Sequence, residues 1–466
     1  MTVAEQTTRM RALGSLLEAA AARDAGTLVA ATVPVAPVDP VALYAAAEGL
    51  GASLWLQPSA GIALVGIGEA WAVRPGGGAS RFAAVSGAWS SLLADALIDV
   101  GDAPRGVGPL LLGGFSFDEE PRPSDVWQGF EPACLVLPSL LLAIMPEGSW
   151  LTVSMLAAPG PSGRPEALMD TWDGLVAAAG DANVESPIET LRVIEQRPEA
   201  STWRDSVARL AGAVGRGRLD KAVLARQVSL AAPVEIDVAG VLRRLQPSAP
   251  ESTLFAFSRG PRTFIGATPE RLVSLHGREM RTMAMAGSTR RAADAETDAR
   301  LATELMQSDK EREEHAVVVA MLREALAPVA EQLDIAPRPQ VARLRHVQHL
   351  VTPISGRLRD DADVLTLVER LHPTPAVGGT PRELALELIA EEEPMERGWY
   401  AGPLGWIDRH GDGEFVVALR SGVVQGREAA LFAGCGIVAD SDPEREWDES
   451  SAKLLALGSA LGRVEP

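Results

Sequence analysis

Short apolar runs separated by turn residues dominate the first part of the chain. Runs such as TLVAATVPV, IALVGIGEAWAV and SWLTVSMLA have the length and the flanking Gly, Pro and Ser residues that are typical of β-strands. Helical patterns interrupt these strands near residues 7–22 and 89–99. The polar stretch at residues 180–201 follows, and it predicts either a domain boundary or a long surface connection.

The second part opens on a helix, because apolar residues repeat at helical spacing from Trp203 to Val214. Turns of hairpin length, such as SRGP and HGR, join several of the strands that follow, which predicts antiparallel pairing. A long helical pattern covers about residues 295–331, and a final helix starts at SDPE and runs to about residue 461. Strand runs with interposed helices predict an α+β fold in which helices cover antiparallel sheets.

The composition excludes several classes of protein. With 466 residues, of which 47% are apolar, the chain can bury a sizeable core. The formal net charge of −19 argues against nucleic acid or an anionic membrane surface as the main partner, although a small anion could still bind a local basic pocket. No apolar run is long enough to span a bilayer, no secretory signal is visible, and the two cysteines suit a reducing compartment. We therefore expect a cytoplasmic protein.

A first acidic pair lies on the long helical pattern. Glu311 and Glu314 continue upstream the apolar face that includes Val318, Met321 and Ala325. Carboxylates that point inward repel one another and are costly to bury without a cation. The same pattern is typical of a solvated acidic first turn, so both interpretations stay open.

A second acidic pair lies on the final helix. Glu446, Glu449 and Lys453 share one face of this helix, which Ser441 or Asp442 can cap. The helix dipole alone also favours acidic residues at this position. If the two pairs faced one another, their oxygens would suit a hard cation such as Mg²⁺.

One lysine and one glutamate are candidates for acid–base chemistry. Lys221 lies in a mostly apolar strand pattern, DKAVLARQV, and a buried lysine has a lowered pKa that allows it to act as a base. Glu270 follows a strand at a Thr-Pro turn and could donate a proton if its surroundings are dry. Exposure of the lysine at the start of its strand is the alternative.

Three glycine-rich segments could let the backbone approach a ligand. They are AMAGSTRR at residues 284–291, HPTPAVGGTPRE at residues 372–383 and AGCGIV at residues 433–438. Each is also consistent with a simple tight turn. A dinucleotide site at AGCGIV is excluded, because no later strand remains to close a βαβ unit.

Nine segments in a fixed order carry a resemblance to a known family. They are KAVLAR, FIGATPERL, AGSTRR, SDKEREEH, VQHLVTPISGRL, LHPTPAVGG, GWYAGPLGW, VALRSGVV and AGCGIVADSDPEREWDES. Over about residues 200–462 the chain resembles the chorismate-utilising enzymes and is most similar to the isochorismate synthases. The resemblance implies the fold of anthranilate synthase component I, an α+β body of two packed antiparallel β-sheets flanked by helices. It also implies a variable part at residues 1–195 that adds strands to this body, and a chorismate-binding catalytic domain at residues 196–466.

The resemblance further implies an activity, the Mg²⁺-dependent isomerisation of chorismate to isochorismate. Water adds at C2 of the substrate, and the C4 hydroxyl leaves. Lys221 matches the base that activates the water, and Glu270 matches the acid that protonates the departing hydroxyl. Other positions match residues that surround the substrate: Gly287, Ser288, His349, Ala376, Tyr400, Arg420, Gly434 and Lys453.

The metal ligands are implied in the same way. Glu314 and Glu449 match residues that hold Mg²⁺ directly, and Glu311 and Glu446 match residues that act through waters. The metal in turn would hold the ring carboxylate of chorismate.

A few positions distinguish members of this family. Lys221 implies water as the nucleophile, so we expect no obligate glutaminase subunit and a monomer or homodimer. Ala286 stands where aminodeoxychorismate synthases have a nucleophilic lysine, and Cys435 stands where alanine is common. Ala376 favours release of isochorismate, because salicylate synthases tend to have threonine there. A salicylate synthase and a non-catalytic chorismate-binding protein remain as alternatives, and menaquinone, catechol siderophores or salicylate would be the end product.

Overall fold

The computed structural model describes residues 26–78, 80–157, 165–181, 188–343, 347–359 and 362–465, together with residue 14. Apart from that residue, the helix predicted near residues 7–22 lies outside the described part of the chain. The described residues form two β-sheets, a set of α-helices and one short 3₁₀ turn at Pro58–Ala60.

The first sheet has fourteen strands among the described residues. In chain order these strands are β1 (Leu28–Pro34), β2 (Ser53–Gln57), β3 (Ile62–Ile67), β5 (Leu97–Asp99), β8 (Leu140–Met145), β9 (Gly148–Leu156), β10 (Glu189–Arg197), β11 (Lys221–Ala231), β12 (Thr253–Arg259), β13 (Arg262–Thr268), β19 (Gly379–Thr380), β22 (Ser421–Gln425), β23 (Glu428–Ile437) and β24 (Gly462–Glu465). Their spatial order is β24-β10-β11-β23-β22-β13-β12-β2-β3-β8-β9-β1-β5, with β19 paired to β11.

The second sheet has ten strands in the same described ranges. They are β4 (Trp71–Val73), β6 (Leu110–Phe115), β7 (Ala133–Leu137), β14 (Arg271–His276), β15 (Glu279–Arg290), β16 (Ala330–Ile335), β17 (Gln340–Arg343), β18 (Val347–Leu358), β20 (Pro403–Asp408) and β21 (Gly413–Val417). Their order is β16-β18-β15-β14-β21-β20-β6-β7-β4, with β17 paired to β18. Among the described strands, two pairs are parallel, β1 with β5 and β10 with β24. The other pairs between described strands are antiparallel, as the hairpin-length turns predict.

Ten α-helices flank the sheets within the described residues. They are α1 (Pro40–Ala46), α2 (Arg81–Ala94), α3 (Pro165–Asp181), α4 (Ala200–Gly215), α5 (Val238–Ser248), α6 (Ala295–Gln307), α7 (Asp309–Leu326), α8 (Val364–Leu371), α9 (Arg382–Glu392) and α10 (Pro443–Leu461). None of these helices combines the length and the apolar character that a membrane span needs. The two sheets and their flanking helices confirm the α+β prediction, and the final helix, α10, has the predicted bounds.

The main core lies between the two sheets. Phe255 and Phe264 of the first sheet belong to the same buried cluster as Phe115 and Phe415 of the second, and all four side chains are fully buried. Burial of each aromatic ring is worth about 1.5–3 kcal/mol, so this layer holds the sheets together. A second cluster fills the space between the first sheet and helices α1, α3, α5 and α10.

Two helix predictions need correction. The helix predicted at residues 89–99 is α2, which ends at Ala94, and the next residues form the short strand β5. The long helix predicted at about residues 295–331 is two helices, because the hydroxyl of Ser308 caps α7 by accepting a hydrogen bond from the N–H of Glu311 at 3.3 Å. Strand β16 then begins at Ala330.

Each sheet joins a block of strands from the first part of the chain to a block of strands from the second part. In the first sheet, β12 pairs with β2, and in the second sheet β20 pairs with β6. The polar stretch at residues 180–201 contains strand β10, which pairs with β11 and β24. Strands that carry candidate site residues also pair across long stretches of sequence, β11 with β23 and β15 with β18.

Candidate active site

One cavity of about 290 Å³ is lined by both sheets and by helices α7 and α10. All fourteen site residues predicted from the sequence line it. They are Lys221, Glu270, Gly287, Ser288, Glu311, Glu314, His349, Ala376, Tyr400, Arg420, Gly434, Glu446, Glu449 and Lys453. The fold therefore brings together residues that are spread over half of the sequence, from Lys221 to Lys453.

Lys221 is the first residue of strand β11, and its side chain is mostly buried. The Nζ atom donates a hydrogen bond to Oε1 of Glu314 at 2.6 Å. The exposed lysine considered as an alternative is therefore wrong. The amine reaches the cavity beside the first acidic pair, where it can exchange a proton with a bound molecule.

Glu270 lies between strands β13 and β14 and is only 9% exposed. Its carbonyl accepts the N–H of Val417 at 3.0 Å, which fixes the backbone. Burial raises the pKa of the carboxyl to about 7, although the nearby cations Lys221, Arg420 and Lys453 oppose the shift. A carboxyl group with this pKa is half protonated near neutral pH and can serve as a general acid.

The first acidic pair lies at the start of helix α7. Glu311 is held towards strand β15, because its Oε2 accepts the N–H of Ser288 at 3.0 Å. Glu314 faces the cavity and forms the ion pair with Lys221. The stripe of buried residues on α7 continues from here through His315, Val318 and Leu322, so the pair lies at its upstream end.

The second acidic pair lies in the first turns of helix α10. Ser441 donates a hydrogen bond to Oε1 of Glu446 at 2.8 Å, and Lys453 pairs with Glu449 at 2.7 Å. Burial raises the pKa of Glu446. Burial is the largest influence on Glu449 and acts to raise its pKa. The charge and hydrogen bond of Lys453, together with the fields of His349 and Arg420, outweigh burial, so the pKa of Glu449 is lowered and the group is a carboxylate at neutral pH.

The four carboxyl groups fit a hard divalent cation. All four line the same cavity, and ligand oxygens of Glu446 and Glu449 lie within 4.8 Å of one another. Carboxylates this close repel one another, and a bound cation removes the repulsion. A set of carboxylate oxygens is the donor set that Mg²⁺ prefers over softer metals.

Groups that suit an anionic substrate lie in the same cavity. Lys453 donates to the carbonyl of Gly434 at 2.8 Å, and Arg420 adopts the left-handed backbone region, with φ of 51°. Burial raises the pKa of Tyr400 to about 12, so the phenol stays a neutral hydrogen-bond donor. Burial lowers the pKa of His349 to about 4, so the imidazole is neutral at physiological pH.

The glycine-rich segments are not all turns. The alternative of simple tight turns at AMAGSTRR and AGCGIV is wrong, because residues 284–290 lie in strand β15 and residues 433–437 lie in strand β23. In β15 the strand register shifts at Gly287, which has φ of 76°, and this bulge brings the backbone close to Glu311. The HPTPAVGG segment is the loop that follows α8, and it places Ala376 in the cavity wall.

A buried ion pair in the cavity wall was not predicted. Arg397 lines the cavity and pairs with Glu393 through two hydrogen bonds of 2.8 and 2.5 Å. Its guanidinium also donates to the carbonyls of Val223 and Val377, and Glu393 accepts the N–H of Ala225. This pair ties the strand that carries Lys221 to the loop that carries Ala376. The spacing of four residues between Glu393 and Arg397 is the signal in the sequence that could have identified it.

The sequence of this chain is similar to those of known proteins. The family described as "Chorismate binding enzyme" matches residues 15–462. The chain is 38% identical to the salicylate biosynthesis isochorismate synthase of Pseudomonas aeruginosa, over 97% of this chain and 93% of that protein. It is 37% identical to the isochorismate synthase MenF of Bacillus subtilis, over 76% of this chain and 75% of that protein.

Solved structures agree with the sequence comparison. The structure of MenF, the menaquinone-specific isochorismate synthase from Escherichia coli, superposes with a TM-score of 0.78 at 26% identity and covers 98% of this chain and 100% of that chain. The fold predicted from the resemblance is thereby confirmed. Because the family match spans nearly the whole sequence, the chain belongs to the chorismate-binding enzymes.

Proposed function

We propose that this protein is an isochorismate synthase, an isomerase that converts chorismate into isochorismate. The observation that carries the proposal is the meeting of Lys221 and Glu270 in one cavity with two pairs of carboxyl groups. A protein that only binds chorismate has no use for a base and an acid in the same cavity. The relatives that bear the name isochorismate synthase support the proposal.

The reaction exchanges one hydroxyl group for another, and the two side chains divide the work. The Nζ atom of Lys221, in its neutral form, accepts a proton from a water molecule while the water oxygen bonds to C2 of the substrate. The ring double bonds shift, and the bond between C4 and its hydroxyl breaks. The protonated carboxyl of Glu270 gives its proton to this hydroxyl, which leaves as water.

Arg420 and Tyr400 are suited to hold the enolpyruvyl carboxylate of the substrate. A guanidinium pairs with a carboxylate through two parallel hydrogen bonds, and the neutral phenol donates a third. Lys453 and the backbone at Gly287, Ser288 and Gly434 lie at positions to orient the remaining carboxylate. These contacts fix the ring so that C2 and C4 face the base and the acid.

The enzyme uses Mg²⁺ in this proposal, held by Glu314 and Glu449 directly and by Glu311 and Glu446 through waters. When bound, the metal neutralises the ring carboxylate and stabilises negative charge in the transition state. The oxygen-only donor set of the four glutamates supports this choice of ion.

The use of water as the nucleophile bears on which partner subunits the enzyme needs. Because the reaction uses no ammonia, the enzyme needs no glutaminase subunit and acts as a monomer or a homodimer. Two free cysteines, Cys134 and Cys435, are fully buried, which agrees with the expected cytoplasmic location.

Incubation of the purified protein with chorismate, with and without Mg²⁺, tests the proposed function. We expect Mg²⁺-dependent formation of isochorismate, resolved by chromatography, without a stoichiometric amount of pyruvate. Salicylate together with pyruvate would show instead that Ala376 does not stop the reaction at isochorismate. Binding of chorismate without any product would contradict the proposal in favour of a non-catalytic binding protein.

The variant Glu314→Gln tests the metal site. The amide keeps the shape of the side chain but lacks the charge that a divalent cation requires, so we expect Mg²⁺ affinity and turnover to fall together, each by roughly 10- to 100-fold. The exposed neighbour Glu313 supplies the matched control, Glu313→Gln, which should leave both quantities unchanged. Titration of activity against Mg²⁺ measures the effect, and an unchanged Mg²⁺ dependence in Glu314→Gln would remove Glu314 from the direct ligands.

A further inference from the structure

Strand β23 presents alternating faces to two different environments. Cys435 is fully buried and packs in the apolar cluster around Trp203 and Val207 of helix α4. Its neighbours Gly434 and Gly436 both line the cavity instead. The period of two along a strand explains this arrangement, and it places two residues without side chains on the wall of the site.

The side chain of Lys221 crosses this wall at Gly436. A Cβ atom placed on Gly436 would lie 2.4 Å from Cε of Lys221, 3.0 Å from its Nζ and 3.7 Å from its Cδ. Carbon atoms in contact are normally about 3.5–4.0 Å apart, so no side chain at position 436 is compatible with the observed position of the lysine. Strands β11 and β23 pair directly, with Val223 opposite Gly436, so neither backbone can move away easily.

We propose that Gly436 is a positioning residue for Lys221, whose side chain needs the space above this glycine to reach Glu314 and the reacting water. The inference rests on the proposed function, in which Lys221 is the general base. Gly436 itself offers no group to the reaction and acts only through the space that it leaves for the lysine.

The geometry distinguishes this role from a role in folding. The atoms that a methyl group would meet are the far end of a flexible side chain, which can rotate away at little cost in stability. Gly436 also does not adopt a positive φ, so alanine fits its backbone conformation. Alanine at this position should therefore leave the fold intact while moving the Nζ atom by about 1 Å or more, a displacement that can reduce a rate by about 100-fold.

The first test is the variant Gly436→Ala in the full chain. We expect kcat to fall by about 100-fold, with the KM for chorismate changed by less than about threefold and an unchanged thermal unfolding temperature. The matched control is Gly458→Ala in helix α10, where a Cβ would make only ordinary contacts of 3.6 Å with Val464 and 3.7 Å with Leu431. This control should keep the full kcat. A Gly436→Ala protein with normal kcat, or with a greatly lowered unfolding temperature, would overturn the inference.

The second test places the same change in the Lys221→Ala background, where the clash has no partner. We expect Gly436→Ala to have no further effect on the residual slow turnover there, whereas an equal 100-fold loss in both backgrounds would overturn the inference. A crystal structure of Gly436→Ala decides the matter independently of rates: a displaced Nζ supports the inference, and an Nζ still 2.6 Å from Glu314 contradicts it. Normal turnover by Lys221→Ala alone would instead reject the proposed base, which separates failure of the proposed function from failure of this inference.

Discussion

Replacement of Lys221 by alanine is expected to lower kcat by about 1,000-fold while chorismate still binds. General bases contribute about 10²- to 10⁴-fold to a rate, and water is too weak a nucleophile to attack C2 without one. The Nζ atom of Lys221 also pairs with Glu314 at 2.6 Å and so competes with a cation for this carboxylate. Loss of the lysine should therefore leave Mg²⁺ affinity undiminished, in contrast to the Glu314→Gln variant.

Steady-state kinetics and equilibrium titration of chorismate and Mg²⁺ measure these two effects separately. Arg218, an exposed cation just before strand β11, supplies the control variant Arg218→Ala, which should behave as the parent enzyme. A Lys221→Ala protein that turns over at the parent rate would show that another group activates the water.

Replacement of Glu270 by glutamine is expected to have opposite effects on activity and stability. The amide cannot protonate the departing hydroxyl, so kcat should fall by about 10²- to 10⁴-fold. Burial raises the pKa of Glu270 to about 7, which means that the folded protein binds this proton more tightly than the unfolded chain does. The free energy of unfolding of the parent protein therefore decreases as pH rises from the ordinary glutamate pKa towards 7. Above pH 7 the whole loss, about 3 kcal/mol, is present.

Urea unfolding at pH 5 and pH 8 measures the stability effect. Glutamine does not ionise, so the variant does not lose stability as pH rises. Its free energy of unfolding should exceed that of the parent by a small amount at pH 5 and by roughly 3 kcal/mol at pH 8. The parent kcat/KM should decline with an apparent pKa near 7 on the alkaline side, because the acid must carry its proton. The exposed Glu428 gives the control variant Glu428→Gln, which should change neither quantity. An equal stability difference at both pH values would contradict the assignment of a buried, protonated carboxyl.

Much of the site could be predicted from the sequence because its residues occur in motifs that are short and ordered. Glu446, Glu449 and Lys453 lie on one helical face, so helix periodicity alone places them together. That these residues line the same cavity as Glu311 and Glu314 of helix α7 depends on contacts between segments that are far apart in the sequence. Periodicity carries no information on such long-range contacts, and the family resemblance supplied it.

The errors have local physical causes. Apolar periodicity continues across Ser308, so the pattern alone predicts one helix where the structure has two. The signal that separates the two helices is local, since Ser308 precedes Glu311 by three residues in the pattern of a capping box. Glycine at 287 and 434 is also consistent with turns, but strands use glycine for the same close approach of backbones. Gly287 lies at the bulge of β15, and a Cβ on Gly434 would lie 3.0 Å from the carbonyl oxygen of Leu224 in the paired strand β11. The roles of Arg397 and Gly436 depend on neighbours that only the folded sheets bring into contact.

The joining of an early and a late block of strands in each sheet also has a consequence for synthesis of the protein. Strand β2 finds its partner β12, and strand β6 its partner β20, only after long intervening stretches have been translated. The early strands can pair with one another, but each early block keeps one edge without its partner until β12 or β20 has been made. The nascent chain consequently exposes the apolar edge of β2 until about residue 259 and that of β6 until about residue 408, so we expect chaperone binding during that interval to improve the yield of folded enzyme.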